Sequence, residues 1–146
     1  MEDPVESRFW EARAGRAFVG RLATGSDLVE ELERFCAERD IRSAWVSVVG
    51  ALSHAAYRYY DQGEKRYLDL SSDTHHEIVS FIGNISQLDG KPFLHAHASF
   101  ADRDGVTVGG HLMAGCTVWV AEVTIREMSD VDLVRTPDEL TGLNLW

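Results

Sequence analysis

Apolar and polar positions in the first part of the chain predict a strand followed by one amphipathic helix. Residues 16–22 (RAFVGRL) alternate partly between apolar and polar side chains, as in a half-buried β-strand. Four apolar residues then recur at i, i+4, i+7 and i+8 and share one helical face: Leu28, Leu32, Phe35 and Cys36. Ser26 or Asp27 can cap the free amides at the start of this helix, and Glu30 completes a capping-box pattern with Asp27. We therefore predict a helix that begins near Asp27, ends near residue 39 and packs its apolar face on a sheet.

Most of the remaining chain consists of short apolar or alternating segments that predict β-strands. These segments are residues 43–52, 55–61, 66–70, 77–86, 93–101, 106–115 and 117–127. The last stretch, 133–146, carries enough apolar side chains to dock on the rest of the protein. One helix followed by closely spaced strands predicts an α+β fold. We expect a single domain over residues 1–146, with a largely antiparallel β-sheet and one main helix packed on it.

Three histidines lie close together in the segment 93–115, FLHAHASFADRDGVTVGGHLMAG. His95 and His97 are two residues apart in a predicted strand, so both side chains leave the same face. The sequence of residues 102–105 (DRDG) matches a three-residue hairpin loop, in which a type I turn is followed by a glycine with positive φ. In that register His97 lies directly opposite His111, and His95 is its diagonal neighbour. A loop of two or four residues would place His111 on the other face, and a bulge at residues 109–110 would also change the register.

Three imidazoles on one face of a hairpin predict a metal site formed by His95, His97 and His111. Histidine nitrogens bind zinc at about 2.0–2.1 Å, and three protein ligands leave a fourth position open, as is typical of catalytic zinc. Glu77 begins the preceding predicted strand. It is a candidate general base or supporting group for the metal, although an exposed residue at the start of a strand is an equal interpretation.

Charge and composition argue against several classes of function. The formal net charge is −10, and the densest basic run, Arg8 to Arg21, is offset by acidic residues within and before it. Direct DNA binding is therefore unfavourable, because it depends on clustered Lys and Arg. The first ten residues, MEDPVESRFW, are acidic where a signal peptide needs positive charge, and no apolar run approaches the roughly 18 residues of a membrane span. We expect a cytoplasmic protein with no membrane contact, in which Cys36 and Cys116 are buried apolar residues rather than a disulfide.

Seven segments occur along the chain in an order that is familiar from one family. They are RLATGSDL at 21–28, FCAERDI at 35–41, VSVVGAL at 46–52, EIVSFIGNIS at 77–86, GKPFLHAHASFADRDG at 90–105, GGHL at 109–112 and RTPDELTGL at 135–143. Together they resemble the PPC (plants-and-prokaryotes-conserved) domain in its free-standing bacterial form, over residues 16–143. The resemblance implies an α+β fold, a homotrimer, and a zinc-type divalent ion on His95, His97 and His111. Bacterial members commonly carry the label of predicted DNA-binding protein, whereas the plant relatives add an AT-hook, which this sequence lacks.

Three functions remain open at this point. The first is a trimeric metal-binding module of regulatory or DNA-associated type, in which partner proteins supply any contact with DNA. The second is a small metal-dependent enzyme, a hydrolase or lyase, that takes a small-molecule ligand at the open metal position. The third is a structural metal site that stiffens a trimer used for protein association. The sequence does not decide between them.

Overall fold

The computed structural model describes residues 7–146, so the first six residues of the acidic start lie outside the described residues. The elements follow in this order: β1 (Arg13–Arg21), α1 (Leu28–Glu38), β2 (Ala44–Asp61), β3 (Arg66–Ser72), β4 (His76–Leu88), β5 (Lys91–Ala101), β6 (Thr107–Leu112), β7 (Thr117–Ser129), β8 (Thr136–Pro137) and β9 (Asn144–Leu145). All pairs of named strands are antiparallel. The predicted α+β class, with a largely antiparallel sheet and one main helix in this part of the chain, is confirmed.

The main sheet has the strand order β1-β7-β2-β4-β5-β6, and β3 pairs with the far end of β2. Strand β6 pairs with β2 as well as with β5, through the pairs Tyr57↔Leu112 and Arg58↔His111. The strands β2, β4, β5 and β6 therefore close on themselves. Phe100 and Leu52 are fully buried within this core.

Strand β2 is longer than the sequence pattern indicated. Residues 43–52 and 55–61 were expected to form two strands, but Ala44–Asp61 is continuous over 18 residues. The pairing of β2 with β7 shifts register between Leu52 and His54. A local irregularity thus lets the strand bend at the junction without a turn, and one strand can then pair with β4 and β7 at its start and with β3 and β6 at its end.

Helix α1 forms where its apolar stripe and its cap predict it. Leu28, Leu32 and Cys36 are at most 1% exposed and pack into the core. Cys116 is also buried, and both cysteines are free thiols, as the sequence indicated. The helix spans 11 residues, so no helix in the described part of the chain is long enough to cross a bilayer.

Asp27 anchors the helix to the rest of the fold. One carboxylate oxygen accepts hydrogen bonds from the amides of Val29 and Glu30, at 2.9 and 3.0 Å, and the other accepts from the amide of Gly115. Asp27→Ala leaves these amides without their partner, and we expect it to lower the free energy of unfolding by about 1–2 kcal/mol in urea denaturation. Asp27→Asn, which keeps one acceptor oxygen, should recover part of that loss. An unchanged urea midpoint in the alanine variant would contradict the anchoring role.

The last segment of the chain docks beside the end of β4. The amide of Gln87 donates to the carbonyl of Leu133, and the amide of Arg135 donates to the carbonyl of Gln87. Leu133 is 6% exposed, and Arg135 is 8% exposed. The segment that follows forms the short β8–β9 pair. This docking confirms the expectation for the tail and brings residue 135 to the same sheet face as the histidines.

Candidate metal centre

The β5–β6 hairpin has the register that the turn sequence predicted. The amide of Asp102 donates to the carbonyl of Val106 at 3.0 Å, the amide of Gly105 donates to the carbonyl of Asp102 at 3.0 Å, and Gly105 has a φ of 77°. The loop is therefore the three-residue type. His97 lies directly opposite His111. The predicted pairing is confirmed, and the pairing between β5 and β6 continues through residues 109–110 without a bulge.

His95, His97 and His111 come together on the side of the hairpin that faces away from the core. One ring nitrogen from each can be chosen so that all three lie within 4.8 Å of one another. Nitrogens that share a tetrahedral zinc ion at 2.0–2.1 Å are about 3.3 Å apart, so small rotations of the rings bring all three into range. His95 and His111 are half-buried, whereas His97 is exposed. The donor set fits a zinc-type divalent ion.

The electrostatic surroundings keep two of the three imidazole rings in the neutral form, which is the form that binds a metal. Burial, together with smaller contributions from Arg135 and His97, lowers the pKa of His95 to about 4. Burial also lowers the pKa of His111 to about 4, with smaller contributions from the other two histidines and from neighbouring arginines. Both imidazoles are therefore neutral at pH 7, and each has one nitrogen lone pair available for coordination.

Two glycines allow β6 to lie close to both of its neighbours. A Cβ atom on Gly109 would lie 2.2 Å from the carbonyl oxygen of Ala98 in β5. A Cβ atom on Gly110 would lie 2.6 Å from the carbonyl oxygen of Arg58 in β2. Because no side chain fits at either position, the close approach of three backbones fixes where the next residue, His111, is placed.

Arg135 is a residue of this site that the sequence patterns did not single out. Its Nε donates to Ser86 Oγ at 2.7 Å, and its Nη1 donates to the carbonyl of Asn144 at 2.9 Å. Its Nη2 lies 3.2 Å from both Asn84 Oδ1 and His95 Nδ1. The only sequence sign of Arg135 was its place in the segment 135–143, because nothing in local spacing connects this position with His95.

A cavity of about 470 Å³ borders His95 and His111. Arg58, Arg135 and Tyr67 lie on its polar side, and Phe93, Leu94 and Leu143 are among its apolar walls. Its volume lies within the usual range of sites for small molecules. His95 and His111 therefore border a space of ligand size rather than a closed shell of side chains.

One carboxylate on the wall of this cavity comes from helix α1. Glu33 lines the cavity, accepts a hydrogen bond from the amide of Leu94 at 2.9 Å, and has its pKa raised by burial. The sequence candidate Glu77 is elsewhere: it is exposed and pairs with Ala101, four residues along β5 from His97. Glu33 could not be found from the helical pattern, because it lies beside the apolar stripe and looks like an ordinary exposed residue.

Comparison with known proteins identifies the family. A family model of the Plants and Prokaryotes Conserved (PCC) domain matches residues 10–129, a range that includes all three histidines. The chain belongs to this family, also abbreviated PPC. Its PPC sequence is 36% identical to the bifunctional protein GlmU of Synechococcus sp. strain JA-3-3Ab over 129 residues, which are 87% of this chain. The chain spans about one fifth of the length of that relative.

Solved structures share the whole PPC fold. A metal-containing protein from Archaeoglobus fulgidus matches with a TM-score of 0.92 and 38% identity, over 96% of this chain and 99% of that one. A PPC protein from Pyrococcus horikoshii matches with a TM-score of 0.90 and 31% identity, over 96% of each chain. A Bacteroides thetaiotaomicron protein, whose name gives DNA binding as a predicted role, matches with a TM-score of 0.81 over 92% of this chain and 95% of that one. Its identity is 24%, so this last likeness carries the fold alone.

Proposed function

We propose that this PPC-domain protein binds one zinc-type divalent ion through His95, His97 and His111 and uses the open position of that ion to bind a small molecule. The observation that carries the proposal is the convergence of three ligand nitrogens beside a cavity of about 470 Å³. The name of the Archaeoglobus fulgidus relative, a metal-containing protein at 38% identity, supports the metal assignment. A metal at this position supplies a Lewis acid that polarises an oxygen ligand or lowers the pKa of bound water.

The side chains around the cavity favour small-molecule chemistry over a purely structural metal site. A structural zinc site is closed by four protein ligands. Here three imidazoles converge, and Glu33 lies on the cavity wall as a carboxylate whose pKa is raised by burial. Glu33 can hold or release a proton at its Oε2 atom while Oε1 stays bound to the amide of Leu94. A metal-dependent hydrolase or lyase is the enzyme class that this arrangement would serve.

We propose further that the protein is a cytoplasmic single-domain homotrimer. Four exposed apolar side chains lie on the paired strands β2 and β4 and form an outer apolar patch on the sheet: Trp45, Val49, Val79 and Ile82. Ile82 pairs with His97, so the patch lies directly beside the metal site. Apolar patches of this kind are typical of surfaces that are covered in an assembly. The two free buried cysteines agree with a reducing compartment.

A regulatory or DNA-associated role would depend on such an assembly. The formal net charge of −10 disfavours direct contact with phosphates. Any role at DNA would therefore require basic partner proteins that bind the trimer.

The metal assignment is tested by replacing the exposed ligand. Purified wild-type protein is expected to bind about one equivalent of Zn²⁺ per chain by elemental analysis, and His97→Ala less than about one tenth of that. Because His97 is exposed, its loss should leave the circular dichroism spectrum unchanged.

His54→Ala is the matched control, since His54 binds Asp73 at 2.8 Å and takes no part in the triad. It should retain the full equivalent of metal. A His97→Ala variant that binds zinc as the wild type does would overturn the assignment. So would wild-type protein that takes up no divalent ion.

A further inference from the structure

Arg135 is a buried cation without an anionic partner. It is 8% exposed, and none of the ion pairs formed within residues 7–146 includes it. Its hydrogen-bond partners are a hydroxyl, an amide oxygen, a backbone carbonyl and an imidazole, all of which are neutral. Buried charges in proteins are normally paired, because an isolated charge loses its hydration without compensation. Within residues 7–146, Arg135 therefore has no paired negative charge, because Glu33 on the same cavity wall accepts from the amide of Leu94 and forms no ion pair with Arg135.

The contact between Arg135 and His95 cannot persist when a metal is bound. A guanidinium carries only donors, so His95 Nδ1 must be the acceptor from Nη2 at 3.2 Å. A metal on Nδ1 would take the lone pair that Arg135 now uses. A metal on Nε2 would require the ring proton to move to Nδ1, which would then face Arg135 as a second donor. In both cases metal binding removes this hydrogen bond.

Metal binding thus leaves an N–H group of Arg135 free beside a divalent cation. Both positive charges lie at the same cavity, and Arg58 lines it as well. Arg58 already has Asp69 as a partner at 3.4 Å, whereas Arg135 has no carboxylate. Guanidinium groups bind planar carboxylates through two parallel hydrogen bonds or through one charge-assisted bond, and either would restore the missing charge.

The remaining walls indicate what is attached to that negative charge. Besides Arg135, the polar side chains of Arg58, Tyr67 and Glu33 line the cavity, and most of the remaining wall is apolar, including Phe93, Leu94 and Leu143. An apolar wall favours burial of a hydrocarbon body over a second charged group. Inorganic phosphate would satisfy the arginine and the metal but would leave this apolar surface uncovered.

We propose that the cavity binds a small monocarboxylate with an apolar body, its carboxylate lying between the three-histidine metal and Arg135. This inference rests on the proposed metal site and names the class of ligand that the site takes. Arg135 acts as the binding partner of the carboxylate, and its release from His95 couples binding of the ligand to binding of the metal.

Isovalerate titrated into the Co²⁺-loaded protein tests the proposal, with the visible d–d absorption and isothermal titration calorimetry as readouts. We expect saturable binding of one isovalerate per chain and a change in the Co²⁺ spectrum. Isovaleramide, which has the same shape without the charge, and inorganic phosphate should each bind at least about tenfold more weakly. Equal binding of isovaleramide would overturn the need for an anion, and tighter binding of phosphate would overturn the apolar body.

Substitution of Arg135 tests the named residue. Arg135→Gln should weaken isovalerate binding by about ten- to a hundredfold while retaining one Co²⁺ per chain, and Arg135→Lys should lie between it and the wild type. Arg42→Gln is the matched control, because Arg42 is an exposed arginine that binds Asp132. An unchanged affinity in Arg135→Gln would overturn the assignment.

A comparison within the wild-type protein keeps the test decisive even where Arg135→Gln does not fold. Metal-free wild-type protein should bind isovalerate at least about tenfold more weakly than Co²⁺-loaded protein, since Arg135 then stays on His95. Equal affinity in the two forms would overturn the coupling. If one Co²⁺ binds per chain and isovalerate does not, this inference alone fails. If no Co²⁺ binds, the proposed function fails.

Discussion

Gly110→Ala is expected to abolish metal binding at the triad and to lower the free energy of unfolding by about 3 kcal/mol. The added Cβ would lie 2.6 Å from the carbonyl oxygen of Arg58, a backbone atom that cannot rotate away. Strand β6 must then move off β2, and His111 moves with it because it is the next residue. Overpacking in well-packed regions costs about 1–3 kcal/mol, and a clash with backbone lies at the upper end of that range. Zinc stoichiometry and urea denaturation measure the two effects.

Two further glycines provide a second variant and a control for this result. Gly109→Ala places its Cβ 2.2 Å from the carbonyl oxygen of Ala98 and should displace β6 from its other neighbour with a similar loss. Gly20→Ala meets no atom within 4 Å and should leave stability and metal content nearly unchanged. Metal binding by Gly110→Ala at the wild-type level would show that the position of His111 does not depend on this close approach.

The convergence of the three histidines was predictable because it depends on local chemistry. Residues 102–105 determine the loop type, since Gly105 adopts the positive φ of 77° that other residues resist and the Asp102 carboxylate accepts from the amides of Asp104 and Val106. Once the loop has three residues, the strand period of two places His97 opposite His111. The fold class was predictable for a similar reason, because the helical and strand periods of the apolar residues differ clearly along this chain.

The cavity and its charged residues were not predictable, because they depend on contacts between distant segments. Arg135 lies 40 residues beyond His95 and reaches it only after the tail docks beside Gln87. Glu33 reaches the site because α1 packs near β5, where its carboxylate meets the amide of Leu94. Arg135 was marked only by its place in the segment 135–143, and Glu33 carries no period or motif that differs from those of an exposed polar residue.

The same distinction explains why Glu77 was an unproductive candidate. The sequence shows that Glu77 lies at the start of a strand. It does not show how far Glu77 lies from His97 once β4 pairs with β5. In the structure it lies opposite Ala101, and it lines a different cavity together with His75 and Trp119. The β4–β5 register, with a shift between Ile78 and Ser80, sets that separation. A candidate base chosen by sequence proximity alone therefore needs the strand register before it can be assigned.

Ile82→Glu is expected to convert the proposed homotrimer to monomers. Ile82 is 57% exposed in the outer apolar patch, and a carboxylate there would be buried without a partner when copies of the chain associate. Light scattering should give a mass three times that of the 16.3-kDa chain for the wild type and the mass of one chain for the variant. Val49→Glu, at a residue 68% exposed in the same patch, should have the same effect.

Val106→Glu separates the effect of the patch from that of charge in general. Val106 is 59% exposed, as Ile82 is, but it follows the β5–β6 loop and lies outside the patch. It adds the same negative charge and should leave the assembly intact. A trimer that survives both Ile82→Glu and Val49→Glu would place the interface elsewhere on the fold, and a wild-type monomer would contradict the trimer itself. Because Ile82 pairs with His97, loss of the trimer should also increase the exposure of the metal site, which faster removal of zinc by a chelator would reveal.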